Sequence, residues 1–295
     1  MKRATLAVLM MILGLAHVEA KPSPGSVVYI VAHPDDETLF GGTLGKLREN
    51  GYSVYGIYLT RGEGGKVNKV TGNPSDNYSM RPLELKKAAE IYGVKEFLLL
   101  NQPDQPIRDK ETGKPSTKGE EFLNAKLWNI PWIKARVNSY LEMIRPKIIL
   151  TLDPKSSGIT HAHHQAVAQI VLESLKESKL SSQLSGVYGI FEDNYYLDKK
   201  FGTSKNTITF DTRTYSPALG VTYKKFQALG AAAHATQATG YMGELPLGFE
   251  KWEPLTQEKN GLIFRKLLRS PPQPKGHVAT LIPREVRVIE EQAPR

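Results

Sequence analysis

Four short apolar runs, each stopping abruptly at polar residues and separated from the next by a helical pattern, leave few architectures open to this chain. Ser26-Val-Val-Tyr-Ile-Val-Ala-His33 is continuous and β-branched, as befits a strand buried on both faces. It ends in His33-Pro34-Asp35-Asp36-Glu37, after which Leu39, Phe40, Leu44 and Leu47 recur at helical spacing between Thr38 and Asn50, with Gly51 placed as a C-terminal cap. Val54 to Thr60 predicts a second strand, ending in Arg61-Gly-Glu-Gly-Gly65, with a helix from about Pro82 to Tyr92 behind it. Lys95 to Leu100 predicts a third, ending at Pro103-Asp104, and a loop rich in Pro, Gly and Lys runs from Asp104 to Gly119. A helix from about Pro131 to Ile144 then leads into a fourth strand, Lys147 to Leu152. This alternation implies an α/β fold in three layers, a mainly parallel sheet with helices on both faces. Ligands bind such sheets at the carboxyl ends of the strands, and every polar cluster named here lies at one.

Beyond Ser185 the pattern weakens. Val187 to Phe191 and Thr207 to Phe210 predict strands and about Thr222 to Ala238 a helix, while Pro271-Pro-Gln-Pro274 and the charged end predict an irregular tail. The expected organisation is a signal peptide over 1–20, one domain over 21–250 and a C-terminal extension over 251–295. Lys2 and Arg3, the apolar run Ala4 to Ala16 and the small-residue site Val18-Glu19-Ala20 carry the first of these expectations, and with it a secreted or periplasmic location. The apolar run is shorter than the about 20 residues of a membrane span, so no stable insertion is expected after cleavage. A net charge of +9 is spread singly along the chain, without an arginine-rich block or recognition motif, and nucleic acid is not an expected partner. Zero cysteines exclude disulfides, thiolate metal sites and cysteine nucleophiles, leaving His, Asp and Glu as metal ligands.

Two clusters carry chemistry. Acidic residues after Pro34 fit a helix N-terminus, which favours negative charge, but that structural reading leaves His33 idle. A histidine beside two carboxylates also offers nitrogen and oxygen ligands together. The second cluster, Thr160-His161-Ala162-His163-His164, follows the fourth strand at the same sheet edge and holds three of the seven histidines. On a helix His161 and His164 share a face, and His163 is turned about 200° from His161.

These strings, Ala32-His-Pro-Asp-Asp-Glu37 and His161-x-x-His164-x-x-Val167, resemble the PIG-L/LmbE-like zinc-dependent N-acetylglucosaminyl deacetylase family. Thr60-Arg-Gly-Glu-Gly64, Arg81-x-x-Glu84, Pro103-Asp104, Arg145-Pro146 and His234-Ala-Thr-Gln237 extend the resemblance, in order, over about Val27 to Gln237. It implies a Rossmann-like fold and one Zn²⁺ or similar divalent metal per chain, held by His33, Asp36 and His164. By the same resemblance Asp35 is the general base, and His161 stabilises the oxyanion or protonates the departing amine. Arg81 and Asp104 match positions that hold sugar hydroxyls, with capping or ion pairing as their other reading; Arg61 and Glu63 are candidates for the pocket wall, and Glu37 for orienting a ligand. The implied substrate is an amino sugar or glycan carrying an N-acetyl group. The family usually has Asp where this chain has His163, for which an exposed position is the favoured reading. For His234 and Gln237, packing is favoured over catalysis. Two alternatives stay open: cleavage of another amide, in a thiol conjugate or a peptide-like compound, and a non-catalytic carbohydrate-binding protein. Trp128, Trp132 and Tyr195-Tyr196 are candidates to stack on sugar rings or to sit in the core.

Overall fold

The computed structural model describes residues 23–65, 68–108, 111–155, 162–178, 180, 184–191, 206–237, 249–256, 263–275 and 285–294. The expected signal peptide, His161 and the Tyr195-Tyr196 pair lie outside them. Strands β1 (Ser26–Val31), β2 (Ser53–Thr60), β3 (Val94–Gln102), β4 (Ile148–Leu152) and β5 (Gly186–Ile190) are followed by β6 (Ile208–Asp211), the small β7 (Tyr215–Ser216) and β8 (Val221–Thr222) pair, β9 (Phe249–Pro254) and β10 (Arg287–Glu290). The helices are α1 (Gly41–Glu49), α2 (Asn77–Tyr92), α3 (Gly119–Asn124), α4 (Ile130–Ile144), α5 (Ala162–Glu177), α6 (Tyr223–Ala231) and α7 (Ile263–Arg269). Eight strands form one sheet in the order β10-β3-β2-β1-β4-β5-β9-β6, parallel except where β9 runs against β5 and β6.

Chain order runs outward from β1 through β2 to β3 on one side and resumes at β4 on the other, so the crossover reverses between β1 and β4. That reversal opens a crevice at the carboxyl ends of these two neighbours, the place where such sheets take ligands. Alternate side chains of β1 enter opposite layers. Val27, Tyr29 and Val31 pack with Phe40, Leu44, Tyr92 and Trp252, while Val28, Ile30 and Ala32 pack with Phe122, Ile133, Val137 and Ile170. Burial on both faces is why the run is apolar without alternation.

The predicted strands and helices from 26 to 152 are found, with differences that have physical causes. Helix α2 begins at Asn77 and carries Pro82 inside it. Pro82 has no N–H for the Tyr78 carbonyl, and Arg61 Nε donates to that oxygen at 3.3 Å instead. Helix α6 ends at Ala231 rather than near 238, because His234 and Thr236 are drawn off to Glu37 and Glu84. Hydrogen bonds to charged groups, about 1.5–3 kcal/mol each, outweigh helix propensities of tenths of a kcal/mol. The supposed tail supplies β9, α7 and β10, the last pairing in parallel with β3.

The N-terminus of α1 has no side-chain cap of its own, yet its N–H groups are satisfied from β9. Glu250 Oε1 accepts from Gly42 N at 2.8 Å and Oε2 from Thr43 N at 2.9 Å, and the Thr43 hydroxyl donates to the same carboxyl. Burial pushes this carboxyl up to about 8, against the pull of the Thr43 and Gly42 donors. A group whose pKa is raised by folding stabilises fully below its unfolded value and loses that contribution as pH rises through the folded one. From pH 5 to 8 the wild type should therefore lose stability relative to Glu250→Gln by up to about 1.4 kcal/mol per pH unit. Urea midpoints of both proteins across this range check it; parallel curves would refute it.

Candidate metal centre

His33 lies just beyond Ala32 at the end of β1, and the next turn decides where each carboxylate goes. Asp35 adopts φ 120°, a conformation costly for a residue with a side chain, and its carbonyl is held by Thr38 N at 2.9 Å and Thr38 Oγ1 at 2.6 Å. Adjacent carboxylates thus diverge. Asp36 turns back under the strand end, where its Oδ2 accepts from Ala32 N at 2.9 Å and His33 N at 2.8 Å, leaving Oδ1 toward the histidines. Neither acid caps the following turn, so helix capping does not explain them.

Helix α5 begins at Ala162, which brings His163 and His164 to the crevice. His164 Nε2 stands 3.0 Å from His33 Nδ1 and 3.2 Å from Asp36 Oδ1, and the third side of the triangle, His33 Nδ1 to Asp36 Oδ1, is 3.5 Å. In a tetrahedral shell with bonds of about 2.0–2.1 Å, neighbouring donors lie about 3.4 Å apart, so this nitrogen–nitrogen–oxygen set fits a zinc-type ion. Burial disfavours charge on both His33 and Asp36, but their mutual attraction wins. The Asp104 and Asp36 carboxylates push His33 up to about 9, and His164 and His33 hold Asp36 well below the carboxylate range.

The Asp35 side chain keeps 21% of its surface exposed against 5% for Asp36. The accessible carboxylate is therefore the one able to meet a substrate, and the buried one suits a ligand. Burial raises the Asp35 pKa, opposed by Arg81, whose Nη2 lies 2.7 Å from Asp35 Oδ2. Arg81 is buried, and its fork also donates to the Pro34 carbonyl and, at 2.8 Å, to the Gly62 carbonyl. Of its two sequence readings, ion pairing is the one this geometry displays.

The remaining motifs brace these loops. Gly62, at φ 78°, lies under the Arg81 guanidinium, and Gly64 approaches the Asp104 backbone so closely that no Cβ fits. Glu63 Oε1 accepts from Asp104 N at 3.0 Å. Arg61 points to β10, donating to Glu290 at 2.7 Å and Asn101 at 3.0 Å, and is not brought to the histidines. Glu84, one turn beyond Arg81, accepts from Thr236 N at 2.8 Å and Thr236 Oγ1 at 2.6 Å. Glu37 accepts from Asp35 N at 3.1 Å and is paired with buried His234 at 2.6 Å, so both serve the turn that carries Asp35. Trp128 is buried and donates to the Pro103 carbonyl at 2.9 Å.

His163 is 0% exposed, which corrects the exposed position favoured from sequence. Residues 100° apart on one helix straddle the His33 ring, His164 at Nδ1 and His163 at Nε2, the latter 3.0 Å away. Asp104 lies there too, with Oδ1 at 3.2 Å from both His33 Nε2 and His163 Nδ1. Sequence reasoning did not foresee this second grouping, although Pro103-Asp104 at a neighbouring strand end was its available signal.

Comparison with known proteins bears on the same residues. The family described as GlcNAc-PI de-N-acetylase matches residues 28–175, half of the chain, and includes His33, Asp36 and His164. The 1D-myo-inositol 2-acetamido-2-deoxy-alpha-D-glucopyranoside deacetylase of Kineococcus radiotolerans is 28% identical over 55% of this chain and 47% of its own, so the chain spans about half the length of that relative. A Bacillus anthracis protein named as an N-acetyl-alpha-D-glucosaminyl L-malate deacetylase is 23% identical over 76% of this chain and 86% of its own. The N,N'-diacetylchitobiose deacetylase of Pyrococcus horikoshii shares the fold at a TM-score of 0.50, with 18% identity and 83% of each chain covered. With the matched segment running from β1 through α5 and both histidine clusters inside it, the chain belongs to the PIG-L family of GlcNAc-PI de-N-acetylase-like proteins.

Proposed function

We propose that this chain is an exported zinc-dependent hydrolase that removes the N-acetyl group from an N-acetylglucosamine-containing saccharide or glycoconjugate. The observation that carries the proposal is the His33–Asp36–His164 triangle at the β1/β4 crevice, with the more accessible Asp35 carboxylate beside it in the chain. Relatives named for deacetylation of glucosamine-type compounds support the substrate class, and the amino-terminal Lys2-Arg3 and apolar run support export. An acetamide is a poor electrophile; a divalent ion held by the three ligands would polarise its carbonyl and activate water. Asp35 accepts the proton of the attacking water, the acetyl C–N bond breaks, and the proton passes to the departing amine from Asp35 or from His161, whose role rests on its motif. Purified, zinc-loaded protein incubated with a panel of N-acetylated saccharides should release acetate and free amine. Activity confined to peptide-like or thiol-conjugate amides would favour the other amidase, and tight saccharide binding without acetate would favour a binding protein.

Arg81 separates two ways of using a guanidinium. Its fork is engaged by Asp35, Pro34 and Gly62, so Arg81→Ala should misplace the base and lower kcat/KM by about 10²-fold on a sugar acetamide and a minimal acetamide alike. A loss confined to the sugar compound, measured side by side, would show that Arg81 grips hydroxyls instead.

A further inference from the structure

His33 faces two triangles of similar size, and one neutral imidazole has one bare nitrogen. Its Nδ1 meets His164 and Asp36; its Nε2 meets His163 at 3.0 Å and Asp104 at 3.2 Å. The separations alone do not decide which nitrogen binds metal, because Asp104 Oδ1 to His163 Nδ1 is also 3.2 Å. Access does. His164 retains 12% exposure and borders the turn of Asp35, whereas His163 is sealed, its ring centroid 4.3 Å from that of Phe122 and 5.1 Å from that of Trp128. The first triangle is therefore the more open of the two at its helix corner.

We propose that Asp104 and His163 are positioning residues for the metal ligand His33, together accepting its Nε2–H so that Nδ1 is bare and aimed at the ion. This inference rests on the reading of His33, Asp36 and His164 as metal ligands. Metal-bound imidazoles characteristically donate their other N–H to a carboxylate or another acceptor, which fixes tautomer and ring angle. Asp104 is itself held in place. Its Oδ2 accepts from Gly64 N at 3.0 Å, an approach that glycine permits, and Glu63 takes its backbone N–H. His163 Nε2 lies 3.2 Å from the Gln105 carbonyl, which only accepts; a neutral ring with its proton there presents Nδ1 to His33 as an acceptor, beside the Asp104 carboxylate at 3.2 Å. The β3 loop, the β1 turn and the start of α5 are thereby tied through one imidazole. Asp104 on this account acts behind the metal and not on a sugar hydroxyl.

The test is a set of variants titrated with Zn²⁺ against a chromophoric chelator, with the visible spectrum of the Co²⁺-substituted forms as a reading of ligand geometry. Asp104→Asn, near-isosteric, and His163→Ala should each bind one ion about 10–100-fold more weakly than wild type and shift the Co²⁺ bands. Circular dichroism and urea midpoints of the metal-free proteins separate this loss from misfolding; weakening in step with lost fold would overturn the inference. Unchanged zinc affinity and Co²⁺ spectrum in both variants would also overturn it. So would two ions in the wild type with only the second lost on His163→Ala, since the buried triangle would then itself be a metal site. His164→Ala keeps the two readings apart: full metal retention in that variant refutes the metal assignment, whereas its loss beside intact Asp104 and His163 variants refutes only the support role.

Discussion

Asp35→Asn should retain one bound metal per chain and lower kcat for acetate release by at least about 10²-fold, the scale set by removing a positioned general base. The substitution keeps the shape of the turn. Asn tolerates positive φ, so the conformation of 120° is not disturbed, and the Glu37 and Thr38 contacts involve only the residue 35 backbone. What changes is the ability to take up a proton, together with the negative charge that Arg81 faces at 2.7 Å. Asp36→Asn should divide from it cleanly, because its Oδ1 belongs to the ligand triangle and loses its charge there, so metal affinity falls. Metal analysis and single-turnover acetate release on the two variants check the division. Equal metal loss in both, or near-normal turnover in Asp35→Asn, would show that these neighbours do not have separate tasks.

Loss of the metal should be costlier still. Chelation of the wild type, or His33→Ala or His164→Ala, is expected to reduce acetate release by at least about 10³-fold, corresponding to the several kcal/mol by which a metal ion stabilises transition-state charge. Added Zn²⁺ should restore the chelated wild type and neither variant at stoichiometric metal. The reason lies in the triangle, where removing any corner leaves only two donors, 3.0–3.5 Å apart, in place of the three that a catalytic zinc site uses. Elemental analysis alongside activity decides it. Activity that survives exhaustive chelation, with metal content confirmed at zero, would remove the ion from the reaction altogether.

The strands from 26 to 152 were legible in the residues because they depend on local pattern, and the family resemblance singled out His33, Asp36 and His164, whose side-chain donors the fold brings 3.0–3.5 Å from one another. A doubly buried strand must be apolar throughout, and the loop behind it must supply whatever chemistry the sheet edge carries. The family resemblance then sorted Asp35 from Asp36, whose divergence the φ of Asp35 realises in space. Elements made by pairing distant segments were not legible. The four residues of β10 are short and charged, and they become a strand only against β3; α6 is cut short because His234 and Thr236 find buried carboxylates on other elements. Glu250 caps a helix 208 positions earlier in the chain, a link no local pattern announces. The same holds at the metal centre. Sequence cannot say that Arg81 turns inward to Asp35 while Arg61 turns outward to Glu290, or that His163 closes on the back of His33. Residue type and order determine what chemistry is available at each strand end. Which polar group faces which is decided by packing, since a buried donor or acceptor must take whatever partner the assembled loops bring within about 3 Å of it.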